Sequence, residues 1–377
     1  MVTTASEIYW SQRWAFLEDA GYRLRPKFSP NFNSKELNER TRAEYDARYL
    51  NPAIMDAQRI SDGQKVMLKS VSTRFHPDEV RIARLFSSPP HAGNPRNHCI
   101  PILEVLRDPE TEDTQILVMP LMVTCRVPVF DTLGEVIDCF RQVFEGIQYM
   151  HENFVAHRDC SLPNILQDPT RLFPHGFHPV RPRWDYNWEN LAHPITRTQC
   201  WPSYYIIDFG LSRQYDPAHG LPFEPVIRGG DKSPPEHDRA EHDRVNPFPT
   251  DIYFLGNSLK NEFLYSMHPD EPWDYRLRRR WRFLEPLVED MIHPDPTQRP
   301  TIGQVIQRFN DLCGRLSKWH LRRPGQQCGV FDLPAHRWRQ LMRAIRCVPA
   351  VPAYMPPSCE LSGRMRAFYT QTVVEHG

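Results

Sequence analysis

Apolar positions follow two rhythms along the first third of the chain. Trp10, Trp14 and Leu17 recur at helical spacing, which predicts a helix whose face packs on a neighbour within an aromatic, charged extension over residues 1–50. Over residues 59–70 the period shortens to two. Asp62-Gly63 lies there between two β-prone runs, and both residues tolerate positive φ, so the pattern predicts a tight hairpin. In its second strand, Val66-Met67-Leu68-Lys69, alternation sets Val66 and Leu68 on one face and Met67 and Lys69 on the other. Pro77-Asp78-Glu79 reads as a helix start, with proline at the first helical position and two acids in the first turn. Glu79, Ile82, Ala83 and Phe86 then share one face, which turns the Glu79 carboxylate toward Lys69.

Helical patterning dominates the rest. Thr132-x-x-Glu135 has the form of a capping box, and Leu133, Val136, Ile137, Phe140, Phe144 and Ile147 trace an apolar stripe after it. Tyr204-Tyr205-Ile206-Ile207 has strand composition. Further helices are predicted over 251–263, 281–292 and 302–316. Between them, residues 167–203 are rich in Pro, His and Trp with weak periodicity, which reads as an insertion. Residues 313–377 form a basic, proline-containing tail that either wraps the preceding domain or stays partly mobile.

Composition narrows the class. A chain of 377 residues with 40% hydrophobic content can bury a sizeable core. Formal net charge is +0, so no global field draws the chain to nucleic acid or to an anionic membrane. The local cluster Arg276, Arg278, Arg279, Arg280 and Arg282 reads as a solvated helix face. Nine cysteines without a Cys-x-x-Cys pair argue against both a disulfide framework and a zinc ribbon. His175 and His178, or His237 and His242, are candidate metal ligands, but no Cys or Glu cluster completes a site, so exposed loop histidines are expected. Neither a signal-peptide core nor a membrane-length apolar run occurs, and the expectation is a soluble intracellular protein, cytoplasmic or nuclear. Oligomeric state is not readable.

The candidate chemistry lies in His157-Arg158-Asp159-Cys160-Ser161-Leu162-Pro163-Asn164 and in Asp208-Phe209-Gly210. Asn164 follows Asp159 by five positions, and Asp208 follows the apolar run 204–207. Phosphoryl transfer needs an acceptor for the substrate hydroxyl's proton and oxygen ligands for magnesium on the nucleotide phosphates, and this order supplies both.

Taken with these motifs, residues 55–312 resemble the eukaryotic protein kinase superfamily, and the wider wording resembles an expanded fungal set of kinase-like proteins. The resemblance implies an α+β, bilobal fold with a small antiparallel-sheet N-lobe and a mainly helical C-lobe. The N-lobe and hinge would take residues 51–122 and the C-lobe 123–312. It implies ATP and Mg as cofactors and a protein substrate, with no nucleic acid or membrane partner. Asp159 would be the catalytic base, while Asn164 and Asp208 would hold the metal. Lys69, paired with Glu79, would orient the α- and β-phosphates. Met119-Pro120-Leu121-Met122 is similar to the hinge, so Met119 and Leu121, with Met67, would border the nucleotide. Structural roles would fall to His157, Arg158, Phe209 and Gly210, to Asp251 bracing the catalytic loop, and to Glu236 of Pro234-Pro235-Glu236 paired with Arg299.

Three departures bear on activity. No glycine lies between Gly21 and Gly63, so the glycine-rich phosphate loop is absent. Met67 stands where the family has a small alanine, and Ser161 replaces a lysine beside the transferring phosphate. Three readings follow: a Mg-dependent Ser/Thr (less often Tyr) protein kinase, a pseudokinase serving as a binding or scaffold module, and a small-molecule phosphotransferase.

Overall fold

The alternation of β-prone residues is realised in a curled, five-stranded antiparallel sheet. Its strands are β1 (Tyr22–Leu24), β2 (Ile54–Arg59), β3 (Lys65–Ser72), β4 (Glu104–Arg107) and β5 (Thr114–Pro120), in the order β1-β2-β3-β5-β4. These come from a computed structural model, which describes residues 5–32, 47, 49–227, 229–238, 244–264, 279–325 and 333–352. The β2–β3 connection is a four-residue loop closed by Arg59 N–H to Gln64 O (2.8 Å), and of its residues only Gly63 takes positive φ (72°). The loop is wider than a two-residue turn because Asp62 turns its carboxylate onto the Gln64 amide and the Arg59 guanidinium.

The two faces of β3 have different neighbours. Val66 and Leu68, fully buried, pack with Ile116 and Val118 of β5 against Trp10, Leu17 and Phe28. The N-terminal segment therefore does more than dock. It supplies β1 to the sheet, and helix Ala5–Gln12 covers the outer face. A buried ion pair fastens it, with Arg13 Nη2 at 2.8 Å from Asp108 Oδ2, which also accepts from the Tyr9 hydroxyl. On the other face, Met67, Lys69 and Val71 turn toward the helical part. Helix Glu79–Ser87 packs there through Ile82, Ala83 and Phe86. Its start differs from expectation. Pro77 and Asp78 precede the helix, and the Asp78 side chain pairs with Arg81 instead of capping.

The helical part is organised around helix Leu133–Glu152, whose stripe packs on helix Ile302–Gly314, with Phe144 edge-on to Phe309 at 5.2 Å. Only half of its capping box forms. Thr132 Oγ1 accepts from the Glu135 amide, but Glu135 reaches away to the Asp131 amide and to Thr198. Thr198 belongs to a short helix, Arg197–Cys200, in the 167–203 segment. That segment is an ordered cap. Fully buried Arg197 donates to Gln167 Oε1 and to the carbonyls of Cys125, Pro128 and Val129, while Leu172, Phe173 and Phe177 form a small core against Leu121 and Val123. His178, expected to be exposed, is buried, and its Nδ1 accepts from the Val180 and Arg181 amides. His237 is buried too, His175 is exposed, and His242 lies outside the described residues.

Helix Pro247–Leu259 begins four residues before the predicted start, because Asn246 caps it through the Phe248 amide and Pro247 suits a first-turn position that needs no N–H. The predicted 281–292 helix divides into a 3₁₀ turn, Arg282–Leu284, and helix Glu285–Met291. The tail wraps, as far as it is described. Helices Lys318–Leu321 and Leu333–Ile345 lie over the start of Leu133–Glu152, where Arg339, Gln340 and Arg343 converge on the Asp131 carboxylate. Of the basic cluster, Arg276 and Arg278 lie outside the described residues. Arg279 is exposed on the short helical stretch before Trp281 and Arg282 is exposed on the turn after it, while Arg280 is half-buried; Arg279 and Arg280 border a cavity beside this tail. Among the described residues no disulfide forms, and no helix is long and apolar enough to cross a membrane.

Two stability predictions follow from this packing. Trp10→Ala removes a fully buried indole from the sheet's outer core, and urea titration is expected to show a loss of about 3–5 kcal/mol; a loss below about 1 kcal/mol would contradict a structural N-terminal segment. The Asp138 carboxyl is buried, which pushes its pKa up to about 7. A raised folded-state pKa contributes stability at low pH that is lost as pH rises toward about 7. The gain from Asp138→Asn, relative to wild type, is therefore expected to be about 2–3 kcal/mol larger at pH 8 than at pH 5; an equal gain at both would contradict the buried charge.

Candidate active site

The site begins with the inner face of β3. Antiparallel register sets Lys69 opposite Leu117 and Met67 opposite Met119, so Lys69 emerges into the crevice between sheet and helices. Glu79, the first residue of its helix, is buried against Lys69, and its Oε1 takes a charged hydrogen bond from Nζ. The same ammonium donates to Asp208 Oδ1 at 2.7 Å. Asp208 arrives from the far side of the crevice, after the strand Tyr204–Ile206, in a left-handed conformation (φ 67°) that also turns Oδ1 toward the Gly210 amide. One cation thus joins a strand, a helix terminus and a loop.

Electrostatics follow from burial and charge. Burial raises the Asp208 pKa, but Lys69 outweighs it and holds the carboxyl below its ordinary value. Burial pushes the Lys69 pKa down, and Glu79 and Asp208 together push it up further, so the ammonium stays charged. Glu79 moves the other way. Its burial prevails over the attraction of Lys69, and its pKa is raised.

Asp159 sits on a loop that Asp251 holds from below. The fully buried Asp251 accepts from the His157 amide (2.8 Å), the Arg158 amide (2.7 Å) and His151 Nε2 (2.9 Å). Those bonds fix Arg158 at positive φ (69°), a conformation that costs a non-glycine residue about 1–2 kcal/mol. His157 is buried and its ring Nε2 meets Ile207 O, tying this loop to the one that carries Asp208. Phe209 fills the space between His157 and Phe86. A Cβ on Gly210 would stand 3.1 Å from Glu79 Oε2, so glycine allows the close approach of that loop.

Two donors reach the Asp159 carboxylate. Asn164 Nδ2 lies 3.1 Å from Oδ2, and the Gly230 amide lies 3.1 Å from Oδ1. Burial raises the Asp159 pKa despite these donors and the nearby His157. A Cβ on Gly229 would come within 2.7 Å of Asp159 Oδ1, so the backbone closes on the carboxylate there because Gly229 lacks a side chain.

Three further ion pairs shape the floor. Arg158 Nη1 pairs with Glu224 Oε2 at 3.2 Å, and Arg213 Nη1 with Glu224 Oε1 at 2.8 Å. Glu236 and Arg299 form a bidentate pair, 2.7 Å for each bond, with both side chains fully buried and Thr250 adding a hydroxyl donor. Burial raises the Glu236 pKa, but Arg299 outweighs it and holds the carboxyl low.

The crevice is a cavity of about 430 Å³, and Met67, Met119, Asn164 and Asp208 line it. Leu121 does not. It faces the 167–203 cap, packed in the Leu172–Phe173–Phe177 core, and its amide donates to Lys65 O. Sequence reasoning missed Tyr49, Pro179, Val180 and Pro182, which line the opening from the N-terminal connection and the cap. It also missed His76, whose Nδ1 meets Gly210 O at 2.8 Å, and Gly229, Gly230 and Glu224. Only the paired Gly-Gly was a local signal. Ser161 brings no cation to Asp159, and Lys232 is exposed.

No family model matches the chain. A candidate serine/threonine-protein kinase of Acanthamoeba polyphaga mimivirus is 26% identical over 46% of this chain and 56% of its own length. The nitrogen permease reactivator protein of Saccharomyces cerevisiae is 28% identical over 29% of this chain and 14% of its own length. The Raf homolog serine/threonine-protein kinase of Caenorhabditis elegans is 19% identical over 48% of this chain and 21% of its own length. The chain thus spans little more than half the length of the first of these and much less of the others. These distant likenesses point to a protein kinase-like superfamily.

Proposed function

We propose that the crevice binds ATP with magnesium and that the chain transfers the γ-phosphate to a hydroxyl, of Ser/Thr type, on a protein substrate. In this reading the sheet and the helical part are the two lobes of a kinase-like fold, divided near residue 122, with 1–50 added to the sheet and 313–377 to the helices. The observation that carries it is the Lys69 ammonium shared by Glu79 and Asp208 across the crevice.

The donor set fits magnesium. Asn164 donates through Nδ2 to Asp159, which leaves its Oδ1 as a hard oxygen ligand beside the Asp208 carboxylate. Among the described residues no cluster of three His, Cys, Asp or Glu forms an all-protein cage, in keeping with a magnesium ion that takes its remaining ligands from phosphates and water. When bound, that ion neutralises charge on the phosphate oxygens. Lys69 orients phosphate oxygens by charge, and Glu79 fixes where the ammonium points. Asp159, with its raised pKa, accepts the hydroxyl proton more readily than an ordinary aspartate. Met67 narrows the base-binding end, and its flexible thioether bends to admit a ring.

The hydrogen bonds from Gly230 and Asn164 to Asp159 favour a second reading, in which the crevice binds nucleotide without transfer. Turnover separates the two. Mg-ATP at about a hundred times its Kd is expected to stabilise the wild type by about 2.7 kcal/mol, and Lys69→Met to abolish most of that shift. Transfer is expected to fall by about 10²–10⁴ in Asp159→Asn. Equal rates in wild type and Asp159→Asn would exclude Asp159 as base, and a shift without any turnover would select the binding module.

The raised Asp159 pKa sets a sign for pH dependence. The base works deprotonated, so kcat/KM is expected to fall as pH drops through a value above the ordinary aspartate pKa. An acid limb at or below that ordinary value would contradict the assignment.

A further inference from the structure

A second cavity, of about 560 Å³, opens on the helical part between residues 279–280, the end of helix Lys318–Leu321 and helix Leu333–Ile345. It shares no lining residue with the crevice. Among the described residues five arginines line it, Arg279, Arg280, Arg322, Arg323 and Arg337, and no carboxylate does; Arg280 Nη1 donates to Pro324 O at 3.2 Å. Asp131, against helix Leu333–Ile345, is already taken by Arg339, Arg343 and His336.

An uncompensated charge is costly where it is buried, and of the five Arg322 is the buried one. Arg322 is only 7% exposed; its Nη2 donates to Val348 O, while its Nη1 is buried with no hydrogen-bond partner. Burial and the neighbouring Arg343 push the Arg322 pKa down, the direction expected of a cation without a counter-charge. Among the described residues, the side chains of Arg279, Arg323 and Arg337 make no hydrogen bond or ion pair. A guanidinium fork matches phosphate oxygens bidentately, and several forks around one hollow suit several phosphates on one small scaffold. The cavity is concave and of ligand size, unlike the extended basic stripe that nucleic acid requires. Trp319, 59% exposed at the rim, adds an apolar wall.

We infer that this arginine cavity is a binding site for a compact molecule carrying two or more phosphate groups, distinct from the nucleotide crevice and independent of its activity. The same phosphates can be presented by a soluble compound or by a lipid headgroup.

Calorimetry on the full chain with myo-inositol hexakisphosphate tests the site, at fixed ionic strength with sulfate as the control anion. One saturable site is expected, weakening as salt rises. Arg279→Gln with Arg337→Gln, both on exposed side chains and so harmless to folding, is expected to weaken binding by about tenfold or more. Lys69→Met is expected to leave it unchanged. Absence of binding, equal affinity in the arginine double variant, equal binding of sulfate, or loss in Lys69→Met would overturn the inference. Sedimentation with phosphatidylcholine vesicles carrying a phosphorylated inositol lipid identifies the source. Co-sedimentation that the soluble hexakisphosphate displaces supports the site with a lipid ligand, and soluble binding without co-sedimentation supports it with a free one.

Discussion

One ammonium between two carboxylates sets the geometry of the crevice. Lys69 can meet Glu79 only if β3 keeps its register and the helix starts at Glu79, and it can meet Asp208 only if that residue accepts a left-handed backbone. Each condition is enforced elsewhere. Val66 and Leu68 anchor the strand's outer face, Phe209 wedges against Phe86, and His157 ties the two loops through Ile207 O. Removing the cation would leave the buried Glu79 carboxylate without its counter-charge, facing the half-buried Asp208, and breaking a buried pair such as Lys69–Glu79 costs about 3–5 kcal/mol.

The same logic governs the loop of Asp159. Asp251 is a charge in the interior, tolerated because two amides and a histidine satisfy it, and it holds Arg158 in a conformation that would otherwise relax. Arg158 then finds Glu224, so the segment after Asp208 is fastened to the loop by a carboxylate that the chain carries itself. Against these stand the lost positive charge at Ser161 and the Gly229-Gly230 backbone resting on Asp159. Both weigh on rate, and neither disturbs the cation that links the two parts.

Local patterns were legible where a short period decides the outcome. Alternation in 66–69 placed Lys69 and Met67 on the inner face, and the spacing of Glu79, Ile82, Ala83 and Phe86 placed the carboxylate beside the ammonium. Features that depend on a distant partner were not. Leu121 looked like a crevice residue because nothing nearby announces Leu172 and Phe173, and the N-terminal segment looked like an add-on because strand β1 is only three residues long. The 167–203 cap lacks periodicity since it is pinned by hydrogen bonds from one buried arginine and by a small irregular apolar core around Leu172, Phe173 and Phe177, not by a stripe along a helix. Pro77 misled by two residues because Asp78 preferred Arg81 to capping.

The most direct measurement of the central claim is a crystal structure of the chain with magnesium and a non-hydrolysable ATP analogue. The account predicts the phosphates within hydrogen-bonding distance of Lys69 Nζ and a metal ion between them and the oxygens of Asp208 and Asn164. Phosphates bound away from Lys69, or a Lys69 that leaves Glu79 when nucleotide arrives, would contradict it.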